Sequence, residues 1–414
     1  MERPVAIVGT LDTKGDQIEY LKTIIEKEGQ RTCVIDFSVV GKSPFQPDFT
    51  RDQVAKAAGT TIQGILDMKN RQQGLAKMGE GVSGIINELF SRGELGGVIA
   101  VGGSQATSVS LQIMKTVPLG IPKLVLTTIA YSPVITPEDV GGVDLMMLPW
   151  VMGLWGLNSL SRQSLETAAG AICGAAKVYA KRRLSDKKVV GVSSLGGAVN
   201  RYMDELKPAL EDRGYEVAVA HVLGMPGRMY ERVISEGFIA ASLDLSVGVE
   251  LLNELVDGVF TAGEHRLEAA GRMGIPQIVS PGALEAFHWG RDRPFPDKYK
   301  DRPFIWHSAL HRTVFSNPDE MAAVGTIMAE KLNRALGPTA LILPMKGLGP
   351  APFLSPERLA LLDKGWAAFR DNIKSKLDPR IKYIEMDTTF NDASYIKAVL
   401  EVFDEMMQQR TSSR

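Results

Sequence analysis

The sequence predicts an α/β protein of two tandem three-layer domains with mostly parallel sheets, related by an internal duplication. Three observations carry this. Short, continuous apolar runs rich in Val and Ile alternate with segments of helical periodicity along the 414 residues. Runs of that kind are strands buried on both faces of a parallel sheet. The length also exceeds what one compact core fills, so two domains are expected, over residues 1–184 and 185–414. Finally, three segments recur in the same order in both halves. Leu21 to Asp36 aligns with Leu206 to His221, Gly97 to Gln105 with Gly258 to Arg266, and Gly120 to Thr128 with Gly274 to Gly282.

In chain order the expected strands of the first half are VAIVGT, TCVIDF, GVIAVGG and KLVLTT. Those of the second are KVVGVSS, YEVAVAH, DGVFTAG, PQIVS, ALILP and IKYIEMD. A long Ala-rich helix from about Asn158 to Arg183 closes the first half, and KRRLSDKK reads as the linker. The most apolar window, Asp144 to Leu157, is too short to span a bilayer and reads as buried core or a homodimer contact. Composition excludes several classes. With 47 basic and 48 acidic residues the net charge is -1, so nothing draws the chain to nucleic acid or an anionic membrane. Two cysteines in apolar segments cannot build a disulfide framework, and the expected location is the cytoplasm.

Open α/β sheets bind ligands at the carboxyl ends of their strands. In the first half three loops fall there. GTLDTKG offers the Thr10 and Thr13 hydroxyls, the Asp12 carboxylate and the Lys14 cation at a helix amino terminus, although for that loop alone Asp12 or Thr13 as a plain helix cap is the better account. Asp36 ends the second strand, where acids accept hydrogen bonds from ribose hydroxyls. The third loop, Gly102, Gly103, Ser104, Gln105, Ala106 and Thr107, passes from a buried strand into a helix, and its glycines permit close backbone approach to phosphate. Thr127 and Thr128 follow the next strand, and Asp144 follows a Gly-Gly turn. Neither GxGxxG nor a Walker Lys-Ser/Thr pair is present, so a nicotinamide cofactor is less expected than ATP.

These motifs carry a resemblance. VGTLDTKG with the VGGSQAT loop and GLNSLSR, and in the second half GMPGRMYE, LDLSVGVELLNELVDGV and HRLEAAGRMGIPQIVSPGALE, resemble the family containing the ATP-binding amino-terminal domain of the tomato mosaic virus resistance protein. The similarity spans nearly the whole chain. It implies two Rossmann-like domains, with ATP and magnesium in the amino-terminal crevice at the positions just named. It implies binding and no particular reaction. The chain departs from the family pattern at Gly153, at the shorter MKGLGPAPF loop and at TTFNDASY.

All five histidines lie in the second half. Aligned by the duplication, His221 takes the place of Asp36, and Glu264, His265 and Arg266 that of the glycine loop, with Arg228 nearby. That mixture suits proton transfer on a small anionic substrate, possible at a cleft between the domains. The bland alternative is a surface pair of Glu264 with Arg266 and a partly buried His221. His307 and His311, four apart, would share one helical face, yet HSALH lacks the metalloprotease glutamate and zinc is a poor expectation. The proline-broken, aromatic segment PFPDKYKDRPFIW before them reads as a loop closing over a site. Three functions follow: an ATP-binding protein with small-anion chemistry, a metabolic enzyme acting on a keto or hydroxy acid through His221, His265 and Arg266, or a nucleotide-dependent interaction protein.

Overall fold

A computed structural model describes residues 3–68, 70–153, 155–182, 185–196, 201–348 and 355–412. It divides into two compact units, Met1–Leu184 and Ser185–Arg414. Parts of the KRRLSDKK and MKGLGPAPF segments lie outside the described residues.

The first unit runs β1 (Val5–Gly9), α1 (Leu11–Lys27), β2 (Thr32–Asp36), α2 (Arg51–Ala57), α3 (Ile62–Leu66), α4 (Arg71–Ser91), β3 (Gly97–Gly102), α5 (Ser104–Thr116), β4 (Lys123–Thr127), α6 (Pro137–Val140), β5 (Leu145–Pro149) and α7 (Ser159–Ala180). Its five strands are parallel in the order β2-β1-β3-β4-β5. Alternation along the strands divides the core. Ala6, Val8, Val98 and Ala100 pack toward the α4 and α5 layer, whereas Val5, Ile7, Ile99, Val101 and Leu124 pack toward α1 and α7. The apolar window thus becomes the edge strand β5. Trp150 after it is buried, while Val151, Met152 and Trp155 stand exposed. Cys33 and Cys173 are buried and unbonded, and burial pushes the Cys33 thiol up to about 12.

The second unit runs β6 (Val189–Ser194), α8 (Met203–Asp212), β7 (Glu216–His221), α9 (Met225–Ser235), β8 (Ala241–Asp244), α10 (Gly248–Val256), α11 (Ala269–Arg272), β9 (Gln277–Val279), β10 (Ala286–Gly290), β11 (Phe304–Trp306), β12 (His311–Phe315), α12 (Pro318–Leu332), β13 (Thr339–Pro344), α13 (Pro356–Lys376), β14 (Lys382–Met386) and α14 (Ala393–Ser412). Its large sheet has the order β7-β6-β8-β9-β13-β14. The first five positions repeat the first unit's order, so each half is a Rossmann-like doubly wound domain. An antiparallel sheet, β10-β12-β11, is inserted after β9.

Two expectations are corrected. DGVFTAG is no strand. The third position of the second sheet is filled by β8, which pairs with both β6 and β9, and residues 258–266 instead follow α10 as turns. The alignment of Gly97–Gln105 with Gly258–Arg266 is therefore structurally wrong, whereas the other two matched segments do occupy equivalent places. His307 and His311 share no helix either. They flank the turn between β11 and β12. Among the described residues no helix is long and apolar enough to cross a membrane.

Candidate functional site

In the first unit β1 and β3 are neighbours whose chains leave in opposite directions, so the loops after them flank the switch point. Their helix starts differ. At α1, Asp36 is 2 % exposed, and its Oδ1 accepts from Leu11 N at 3.2 Å and Ser38 N at 2.9 Å. Ser38 Oγ accepts from Asp12 N at 3.1 Å, and Asp12 Oδ2 accepts from Gly41 N at 3.1 Å. Asp36, Ser38 and Asp12 thus tie the first loop to the second, and Asp36 and Ser38 occupy the Leu11 and Asp12 amides expected to face phosphate. Lys14 is buried, with its ammonium 5.7 Å from the Trp150 ring, and desolvation lowers its pKa. The Thr10 and Thr13 hydroxyls meet at 2.8 Å, with Thr13 exposed.

At α5 no side chain caps the amino terminus. Gly102 is buried against Ala106, and Thr107 Oγ1 bonds Gly103 O at 2.9 Å and Thr127 Oγ1 at 2.5 Å, so Thr107 and Thr127 brace the loop from beneath. Gly103 has open space in front of it, the nearest atom to an added Cβ being Thr128 Oγ1 at 3.8 Å. Ser104, Gln105 and Thr128 are at least partly exposed there. Asp144 is corrected outright. It precedes β5, at the amino edge of the sheet, and neutralises the fully buried Lys123 at 2.5 Å. Because all five strands are parallel, that edge is opposite the Thr10, Gly103 and Thr127 loops.

In the second unit the expected catalytic set comes apart. Arg266 is 1 % exposed within three buried carboxylates: Nε bonds Glu250 Oε2 at 2.6 Å, Nη2 bonds Asp244 Oδ1 at 2.8 Å and Nη1 bonds Glu231 Oε1 at 3.0 Å. Glu231 also receives the amides of Leu267, Glu268 and Ala269, capping α11. Burial pushes Glu250 up to about 7, against the pull of Arg266. Arg266 is therefore a scaffold cation. Glu264 and His265 are exposed, His265 lying between Glu264 and Glu268 at 3.4 and 3.2 Å. Arg228, on α9, lies beside Gly263. Of the expected set, His221 lines a cavity that Glu264, His265, Arg266 and Arg228 do not reach.

That cavity, about 800 Å³, lies at the carboxyl edge of the second sheet, as the switch-point rule requires. Residues after five parallel strands reach it: Leu195, His221, Ala283, Lys346 and Thr389. One wall is the face of the antiparallel sheet that presents His288 on β10 and His311 and Thr313 on β12, with His307 just beyond β11. The opposite wall is α13, with Leu359, Leu362, Asp363 and Trp366. The imidazoles cluster. His307 and His311 stack at 5.0 Å between centroids, and His288 lies 5.3 Å from His311 and 6.1 Å from His307. Burial, then His311 and His307, push His288 down to about 3, and burial with His307 lowers His311. Glu285 sits on a turn where Ala283 adopts a left-handed φ of 60°. Its Oε1 accepts from Leu348 N at 3.1 Å, and burial raises its pKa. Glu285 Oε2, His288 Nδ1 and Thr313 Oγ1 are buried without a hydrogen-bond partner. Among the described residues, no group of three or more His, Cys, Asp or Glu side chains is arranged to hold a metal. The sequence reading missed Glu285 and His288. The IVSPGALEAFHW run, a strand end followed by glycine, acid and histidine, is the signal that points to them.

The fold defines a tandem doubly wound α/β protein. Residues 3–181 match the N-terminal domain and residues 187–407 the C-terminal domain of the uncharacterised protein family UPF0261, and the chain belongs to that family. It is 38% identical to a UPF0261 protein of Brucella suis over 97% of this chain and 94% of that one. Identity to a UPF0261 protein of Clostridium tetani is 34%, over 99% of this chain and all of the relative. It is also 27% identical to the ToMV susceptible protein tm-1(GCR26) of Solanum lycopersicum, over 97% of this chain and 55% of that protein. This agrees with the resemblance drawn from the sequence motifs.

Proposed function

We propose that the chain binds ATP, with magnesium, at the carboxyl edge of its first sheet. The observation that carries this is the uncapped amino terminus of α5. A 13-residue helix begins directly after a buried strand, its first turn has no side-chain cap, and Gly103 leaves the approach open. Amides and helix dipole there suit phosphate. The Thr10, Thr13 and Thr128 hydroxyls supply further donors, and the family resemblance to an ATP-binding domain points the same way. Asp36 does not serve as the expected ribose acceptor: it is buried and bonded to Leu11 N and Ser38 N, and it holds the loops in register.

Calorimetric titration with ATP, with and without magnesium, tests the reading. Saturable binding is expected, lost in Gly103→Asp, where a carboxylate fits sterically but repels phosphate. Absence of saturable binding, or unchanged affinity in Gly103→Asp, rejects it.

A further inference from the structure

The cavity of the second unit differs in kind from the nucleotide edge. Its loop after β8, equivalent to the glycine loop, is filled by its own atoms: Ser246 N bonds Ser193 Oγ at 2.9 Å, Ser246 Oγ meets Tyr202 Oη at 3.0 Å, and a Cβ on Gly248 would lie 2.4 Å from Pro281 O. No phosphate seat remains there. What is left is a pocket with one polar and one apolar wall. Three buried polar atoms, on Glu285, His288 and Thr313, have no partner. Each such atom is unfavourable unless something fills it, and native interiors rarely leave three together.

We propose that this cavity binds a small monocarboxylic acid, its carboxylate on His288, His311 and Thr313 and its hydrocarbon body against Leu359, Leu362 and Trp366. The empty polar wall carries little positive charge: His288 is neutral at physiological pH, and burial raises the Glu285 pKa against hydrogen bonds from Leu348 N and the Trp366 side chain. It is a cage of hydrogen-bond donors that gains positive charge when an anion arrives, because a carboxylate beside an imidazole favours its protonated form. The groups around His288 are His307 and His311 on its own sheet and Glu285 on the preceding turn. Across the cavity stand His221, Arg201, Lys346 and Asp363. Lys346 is held by Asp387 at 3.0 Å, which directs its charge to the rim. Binding therefore takes up a proton, and affinity rises as pH falls through the histidine range.

Isovalerate and its neutral amide, isovaleramide, serve as probes for calorimetry on the full chain without nucleotide, so the result is independent of the ATP reading. Isovalerate is expected to bind saturably at about pH 6 and about tenfold more weakly at about pH 8, with proton uptake visible as a dependence on buffer ionisation heat. The amide is expected to bind at least tenfold more weakly than the acid. His311→Gln, at a partly exposed position, and Leu362→Asp, on the other wall, should each weaken binding about tenfold, about 1.4 kcal/mol, with an unchanged melting curve. Equal binding of acid and amide, or indifference to both substitutions, overturns the proposal. So does binding that requires added zinc, or equal displacement of isovalerate by inorganic phosphate.

Discussion

At the scale of single residues, chemistry at a strand edge separates from chemistry beneath it. Arg266 looked like an anion clamp from its place beside Glu264 and His265, yet its guanidinium is enclosed by Asp244, Glu250 and Glu231. Arg266→Met strands three buried carboxylates and should cost about 3–5 kcal/mol in urea denaturation. An anion-binding role alone would leave stability nearly unchanged. Glu250 carries a pH signature. Its carboxyl moves from 4.5 in the unfolded chain to about 7 in the fold, so its proton is held more tightly when folded. Its contribution is complete below about pH 4.5 and is lost as pH rises through about 7. Thermal midpoints across that window should therefore show a downward component that Glu250→Gln removes. Gly347 is equally constrained. Its φ is +52°, and an added Cβ would lie 2.3 Å from Glu285 Oε1 and 2.6 Å from Trp366 Nε1. Gly347→Ala should destabilise by about 1–3 kcal/mol and weaken isovalerate binding, read by melting and calorimetry.

At the scale of elements, two helix starts on one sheet edge have been put to different uses. The first turn of α1 is satisfied by Asp36 and Ser38, which binds the β1 and β2 loops into one support. The first turn of α5 carries no side-chain cap. This predicts a split between substitutions. Asp144→Asn acts at the amino edge, where it uncouples buried Lys123, and should lower stability by about 1–3 kcal/mol while leaving ATP affinity within about twofold. Gly103→Asp should do the reverse, with stability kept and ATP binding lost. Equilibrium denaturation and calorimetry on both variants check it. The antiparallel sheet shows how an element converts a spacing into a site. Period-two alternation brings His288, His311 and Thr313 to one face, while Phe287, Trp289 and Val314 pack into the core on the other. The aromatic segment before β12 was read as a loop closing over a site. Its end is instead β11, which adds Ile305 to the cavity wall.

At the scale of the molecule, the same strand order recurs in both units, with β14 and the antiparallel sheet added to the second. The two edges have diverged physically. One keeps an open helix start, and the other has filled that position and built a cavity from inserted elements. If the first edge holds ATP, nucleotide at about 100 times its Kd should add about 2.7 kcal/mol to the stability of the unit that binds it. Differential scanning calorimetry of wild type and Gly103→Asp reads this as a shift present in one and missing in the other.

The fold class and most of the parallel strands of the repeated order were legible in the sequence because they rest on local periodicity. Buried parallel strands repeat apolar residues within five or six positions, and glycine loops announce where a strand yields to a helix. Five strands escaped, β5, β8, β10, β11 and β12: β8, for one, is four residues long and half polar, and the GVFTAG run resembles a strand more closely than ASLD does. The first-unit loops were likewise readable, but which of their amides remain open depends on where Asp36 and Ser38 point. The second site was largely illegible. His221, Glu285, His288, His307, His311 and Lys346 span more than a hundred residues, and no spacing rule joins them. Strand order and an inserted sheet bring them to one edge, while Arg266, beside the strongest motif, is drawn inward by carboxylates from three other elements. By itself, then, the sequence determined the fold class and most of the parallel strands, because those follow from patterns a few residues long. Only the tertiary structure decided which polar groups pair with one another and which are left for a ligand, because that depends on contacts between residues far apart in the chain.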